Sequence, residues 1–209
     1  GSTYKSKNCG TFGEFAALSF NGNKIITTSG GGALVCKNDE AKRKTIFYAT
    51  QARDSAPHYE HTHIGFNYRM SNIVAGIGRG QMQILDKHVA LRRDMHQFYQ
   101  DIFRNIDSVE VFTEPSKDVF SNHWLSAITI HEKADYSRED LRVFLLEDNI
   151  ESRPLWKPMH LQPVFKDCEF YGGHVAENLF QRGLCLPSGS NLTPEEKTRI
   201  KVKIENFFK

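Results

Sequence analysis

Two short apolar runs, Phe15-Ala16-Ala17-Leu18 and Ala33-Leu34-Val35-Cys36, bracket a polar loop. That loop holds one amine, Lys24, and three consecutive glycines, Gly30-Gly31-Gly32. Runs of four apolar residues bounded by turn residues read as strands rather than helices. The segment is therefore expected to be strand, functional loop, strand over residues 11–36. A nucleotide-binding glycine loop would need a helix opening directly after the glycines, and Ala33–Cys36 reads as a strand instead.

A lysine between two buried strands is badly placed for a solvated charge. It suits a desolvated amine that attacks a carbonyl, because burial disfavours the ammonium form and lowers the pKa. Two readings of Lys24 stay open on these residues: a surface lysine in a β-turn, or a lysine that carries pyridoxal phosphate. Ser19, five residues earlier, favours the second, since a hydroxyl at a strand end can donate to a phosphate while the amine reaches the aldehyde.

Further along, Asp39–Tyr48 reads as a short helix and 49–66 as a long loop, a feature that is often functional. His58, His61 and His63 lie in that loop without a nearby carboxylate and cysteine set, so no metal site is expected there. Ser71 is a candidate N-cap for one long helix over roughly 72–104. Gly76, Gly78 and Gly80 within it read as points of close helix packing. From about 105 the pattern changes to that of an α+β domain. Val109–Phe112, His123–Ile130 and Ile150–Leu155 read as strands. Ser137 caps a helix to about Asp148, and Thr193-Pro194-Glu195-Glu196 opens a C-terminal helix with a proline at its first position.

Four stretches, in order, resemble the DegT/DnrJ/EryC1/StrS family of pyridoxal-phosphate-dependent nucleotide-sugar aminotransferases. They are Ser19–Leu34, Gly65-Phe66-Asn67-Tyr68-Arg69-Met70-Ser71-Asn72, Glu151–Pro163 and Arg182–Ser190. Together they cover essentially the whole chain, and their wording is most similar to the branch that makes UDP-linked 4-amino-sugars for bacillosamine and exopolysaccharide. The resemblance implies an α/β, fold-type I aminotransferase. Residues 1–104 would be the end of the cofactor-binding large domain with its connecting helix, and 105–209 the small C-terminal domain.

The same resemblance implies residue roles. Lys24 would carry pyridoxal 5′-phosphate and act as the proton-moving base. Ser19 would hold the phosphate. Asn67 would reach the phosphate of the neighbouring subunit in a homodimer, with Arg69 beside it. His160, Trp156, Arg153 and Lys157 would face the substrate, where cationic donors suit a diphosphate or a sugar hydroxyl. The implied reaction converts a nucleotide-linked 4-keto-6-deoxy sugar to the 4-amino sugar, with an amino-acid donor. Amination at another position of a sugar or cyclitol, or a non-catalytic scaffold role, is the alternative. The family's acid for the pyridine nitrogen and its ring-stacking aromatic lie before the first residue here. These 209 residues alone are therefore expected to bind the cofactor weakly and to lack useful activity.

Composition narrows the remaining classes. A net charge of +2 gives no electrostatic case for nucleic acid. No apolar run is long enough to span a bilayer, and Gly1–Lys5 has no apolar core for a secretory signal. Cys9, Cys36, Cys168 and Cys185 are scattered with no Cys-x-x-Cys, which argues against a zinc ribbon. Cys36 and Cys185 read as reduced core residues, and a cytoplasmic location is expected.

Overall fold

The computed structural model describes residues 1–209. In chain order the elements are β1 (Thr3–Tyr4), β2 (Lys7–Asn8), β3 (Phe15–Ser19), β4 (Gly32–Cys36), α1 (Asp39–Ala49), α2 (Asn72–Gln83) and α3 (Leu85–Phe103). They continue with β5 (Val109–Val111), β6 (Val119–Phe120), β7 (Ser126–Ile130), α4 (Arg138–Glu147), β8 (Arg153–Pro154), α5 (Val175–Arg182), β9 (Gly183–Leu186) and α6 (Pro194–Phe207). The chain divides into two compact units, one of Gly1–His88 with Lys117–Ser121, the other of Val89–Ser116 with Asn122–Lys209.

In the first unit, β3 and β4 form an antiparallel ribbon from Phe15↔Cys36 to Ser19↔Gly32. The loop between them carries Lys24. Asn38 caps α1 by accepting from the Ala41 N–H at 2.9 Å, and Ser71 caps α2 by accepting from the Val74 N–H at 3.3 Å. The single helix expected over 72–104 is two helices, broken at Ile84. The β3–β4 strands are not buried as the sequence pattern suggested: Phe15, Leu18, Leu34 and Val35 are exposed. A two-stranded ribbon has two faces and two edges, and only packing against further structure removes them from water. Cys36, expected in the core, is only half-buried at the ribbon's end, its sulfur 3.7 Å from the Thr45 hydroxyl.

In the second unit, four antiparallel strands run in the order β5-β7-β9-β8. Three helices supply the rest of one continuous core. Met95, Tyr99 and Phe103 of α3, Leu141 and Leu145 of α4, and Ile200 and Ile204 of α6 cluster with Ile128, Ile130, Leu184 and Leu186 of the sheet. Spacings of four residues place each helical set on one face, while the alternate strand residues share the other side of the contact. The helices start where their capping residues put them. Ser137 and Thr193 each form a reciprocal capping box, with Asp140 and Glu196 respectively. Two strands are shorter than the pattern suggested. His123 sits at φ +42°, so regular pairing begins only at Ser126. Of Ile150–Leu155, only Arg153 and Pro154 pair with β9.

Ser188 ties the sheet end together. Its hydroxyl accepts from the Ser126 N–H at 2.8 Å and donates to the Leu186 carbonyl at 2.7 Å. The buried Tyr99 hydroxyl donates to the Pro187 carbonyl at 2.6 Å, and burial pushes its pKa upward. Arg92 donates to the carbonyls of Trp124 and Ser188. No helix is long and apolar enough to cross a membrane.

Candidate active site

Residues 20–31 do not wander between β3 and β4; they are pinned at both ends and in the middle. The Phe20 N–H donates to the Gly31 carbonyl at 3.1 Å, and the Phe20 carbonyl accepts from the Thr28 N–H at 2.9 Å and the Thr27 hydroxyl at 3.1 Å. The Lys24 N–H closes a turn on the Asn21 carbonyl at 3.1 Å. One residue on, the Ile25 carbonyl lies 3.0 Å from His88 Nδ1, and the Thr27 N–H donates to Gln81 Oε1 at 3.3 Å. The α2–α3 segment therefore braces the backbone on the C-terminal side of Lys24. Ile26 and Thr28 are buried, and Lys24 itself is half-buried. Ser19 is exposed at the last residue of β3, beside Gly32.

The glycines divide by role. Gly31 sits at φ +85°, a conformation that favours glycine. A side chain on Gly32 would collide with the Leu18 carbonyl across the ribbon. Among the α2 glycines, only Gly78 meets a close neighbour, the Thr28 methyl at 3.0 Å from where a Cβ would lie; Gly76 and Gly80 face open space. Close packing thus explains one of the three.

Asn67 and Arg69 are presented by a short extended segment that returns to the end of α1. The Phe66 N–H donates to the Tyr48 carbonyl at 2.7 Å, the Gln51 N–H to the Phe66 carbonyl at 3.0 Å, and the Tyr68 N–H to the Ala49 carbonyl at 3.0 Å. Asn67 pairs with Thr50 in a single bridge. Both Asn67 and Arg69 are exposed, and Met70, the next residue, lies against Gly31 of the Lys24 loop. The turn that returns this segment depends on Gly65, where any Cβ would overlap the backbone of Gln51 and Ala52. Gln51 and Ala52 already sit at φ +72° and +50°. Gly65→Ala is expected to displace the Asn67 segment and destabilise the first unit by about 2 kcal/mol or more, because backbone cannot yield as a flexible side chain can. Urea unfolding of the variant checks this; an unchanged midpoint would contradict it.

The four remaining candidates lie on one stretch of the second unit. Arg153 is exposed and held by Glu151, with Nε 2.7 Å from Oε1. It also lines an open cleft of about 760 Å³ with Arg138, Arg142 and Ser152. Trp156 is exposed, its ring 6.2 Å from that of Trp124. Lys157 is exposed. His160 differs: it is partly buried in a 3-10 turn, stacked on Phe170 at 3.7 Å, with Nε2 2.9 Å from Glu177 Oε1. Sequence reasoning did not find Glu177, nor Gln81 and His88 behind the Lys24 loop. Each partner is far away in sequence, and none carries a local signal.

The DegT/DnrJ/EryC1/StrS aminotransferase family model matches residues 1–205. The chain belongs to this family. Among its members, a protein of Bacillus subtilis (strain 168) described as the putative pyridoxal phosphate-dependent aminotransferase EpsN is 48% identical over 204 residues, covering 96% of this chain and 52% of that relative. A GDP-perosamine synthase of Escherichia coli O157:H7 is 36% identical over 209 residues, covering 100% of this chain and 56% of its own. The chain thus spans about half the length of the curated relatives it matches. The solved structure of Helicobacter pylori PseC, an aminotransferase involved in the biosynthesis of pseudoaminic acid, superposes with a TM-score of 0.89 at 23% identity over 99% of this chain and 56% of that one. The fold is therefore the α/β, fold-type I architecture of the family's aminotransferases.

The residues present suit this family's cofactor. Lys24 offers an amine for an aldehyde. Ser19, Asn67 and Arg69 offer a hydroxyl, an amide and a guanidinium, all donors that phosphate oxygens accept. Gly31, at φ +85°, and Gly32, against the Leu18 carbonyl, leave the C-terminal end of the Lys24 loop without side chains of their own.

Proposed function

We propose that these residues form the lysine-bearing part of a cytoplasmic, pyridoxal-phosphate-dependent sugar aminotransferase that converts a nucleotide-linked 4-keto-6-deoxy sugar to the 4-amino sugar. The donor is an amino acid such as glutamate. The observation that carries this reading is the loop of Lys24. Backbone bonds from Phe20, Ile25, Thr27 and Thr28 fix where the amine emerges, and Ser19 stands at the adjoining strand end. Amination at C4 is supported by similarity to a dTDP-4-amino-4,6-dideoxy-D-glucose transaminase of Shigella dysenteriae, 27% identical over 193 residues.

Pyridoxal phosphate, when bound, supplies the electron sink for moving an amino group between carriers. Lys24 would hold the cofactor through its aldehyde carbon and, once free of it, would carry the proton between the amino-bearing carbon of donor or sugar and that aldehyde carbon, so one amine would serve as nucleophile and as base. Ser19 would hold the phosphate. Asn67, exposed on its return segment with Arg69 beside it, would reach the phosphate bound by a second copy in a homodimer, which makes each site depend on two chains. Residues 1–104 act as the end of the large domain and 105–209 as the small domain. In the latter, Arg153, Trp156, Lys157 and His160 contact the nucleotide sugar. The open faces of the β3–β4 ribbon support the view that further sheet covers it, and that residues 1–209 alone hold the cofactor weakly and turn over little substrate.

Borohydride reduction tests the central assignment. In the protein encoded by the full gene, reduction after adding pyridoxal phosphate is expected to add the cofactor's mass to the Lys24 peptide. An adduct on another lysine, or none, would overturn it. Assay of UDP-, GDP- and dTDP-linked 4-keto-6-deoxyhexoses with glutamate then tests the substrate class; amination of none of them would contradict it.

A further inference from the structure

Beyond its β8–β9 pairing at Arg153 and Pro154, the 153–163 stretch is held at His160 by a carboxylate from α5. Glu177 lies in the first turn of α5 and spends its two carboxylate oxygens on two imidazoles. Oε1 is 2.9 Å from Nε2 of His160, seventeen residues earlier, and Oε2 is 3.1 Å from Nδ1 of His174, which precedes the helix. Both histidines favour the ionised carboxylate and hold its pKa below the usual range, His160 foremost. An ionised carboxylate only accepts hydrogen bonds. The facing nitrogen of each ring must therefore carry a proton, and Nε2 of His160 is a donor to Glu177. In the neutral ring the other nitrogen, Nδ1, is then an acceptor. The Phe170 ring covers one face of the same imidazole at 3.7 Å and 22°, so the ring can neither flip nor swing freely.

We propose that Glu177 is a positioning residue that fixes His160 as its Nε2–H form, so that Nδ1 presents an acceptor to a hydroxyl of the nucleotide sugar. The inference rests on the reading that His160 faces the substrate. The chemical consequence is selectivity: a sugar hydroxyl donates to Nδ1, whereas a deoxy analogue leaves that acceptor unpaired. Holding the tautomer and the ring plane in advance removes their ordering cost from binding. His174 is the second ligand of the same carboxylate. It lies mostly in solvent and steadies Glu177 from the other side.

Two measurements on the full-gene protein test this. The first is nitrogen NMR of histidine side chains at pH 8, with the His160 signal assigned by its loss in His160→Gln. Wild type is expected to show a protonated Nε2 and a bare Nδ1, and Glu177→Leu a mixture of both forms. A wild-type ring carrying its proton on Nδ1 overturns the proposal without reference to any substrate. The second is steady-state kinetics with the most active ketosugar of the nucleotide panel. Glu177→Leu and His160→Gln should each raise KM for the sugar about tenfold or more. Their double variant should be no worse than either alone, KM for glutamate should stay within twofold, and Glu177→Gln should fall between wild type and leucine. If His160→Gln raises KM and Glu177→Leu does not, the positioning role is refuted while His160 stays a substrate contact. If neither variant changes KM, the substrate role of His160 fails, and the proposal with it.

Discussion

Lys24→Arg is expected to lower kcat for transamination by at least a thousandfold and to abolish the borohydride-fixed adduct, with the fold intact. Arginine keeps the positive charge and much of the length of lysine. Its guanidinium, however, stays protonated at any workable pH and cannot attack a carbonyl. The substitution removes nucleophile and base together. Loss of a general base alone accounts for about 10²–10⁴ in rate. The fold should survive because the loop is shaped by backbone bonds at Phe20, Ile25, Thr27, Thr28 and Gly31. Circular dichroism and thermal unfolding establish the second half of the expectation. Retention of more than about a tenth of wild-type kcat would place the chemistry on another residue. Lys24→Ala with added methylamine gives a complementary reading, since a small free amine can restore part of the lost proton transfer.

The strand–loop–strand around Lys24 was legible because its signals are local: two apolar runs, a polar turn and three glycines within 22 residues. The helix starts at Asn72, Arg138 and Pro194 were legible for the same reason, since Ser71, Ser137 and Thr193 each cap within three residues. Features that depend on distant partners were not. The break at Ile84 has no proline or glycine to mark it, and the apolar spacing runs through it from Ile77 to Val89. A run such as Phe15–Leu18 looks the same whether its faces are covered or open, so the exposed ribbon was beyond reach of pattern. The strand expected from His123 was cut short by a local rearrangement: the Trp124 N–H turns back to the Asn122 side chain at 3.0 Å. Arg153, Trp156, Lys157 and His160 could be grouped from sequence, but their different settings could not be seen. Only His160 is tied down by a residue, Glu177, that lies on another helix.

The second unit is expected to lose stability between about pH 6.5 and pH 4, and His96→Leu is expected to remove much of that loss. His96 of α3 is buried, and neither ring nitrogen has a hydrogen-bond partner. Its ring stacks on His123 at 3.7 Å and 9°. His123 Nε2 is in turn 3.0 Å from Glu114 Oε1, which also accepts from Arg93 at 2.7 Å. Burial, followed by the neighbouring His123, pushes the His96 pKa down to about 4. Burial likewise lowers His123, with Glu114 opposing. The sign follows from the protonation difference. Below pH 6.5 the unfolded chain takes up a proton on His96, while the folded chain refuses it until about pH 4. The unfolded state therefore binds more protons throughout that window, and stability falls as pH falls through it. The full loss for this one group is on the order of 3 kcal/mol. Leucine cannot take up the proton and leaves no orphaned polar atom in the core. The variant should match or exceed wild type at pH 7.5 and should unfold at least about 5 °C higher than wild type at pH 4.5. Equal falls in midpoint for the two proteins between those pH values would show that the acid sensitivity lies elsewhere.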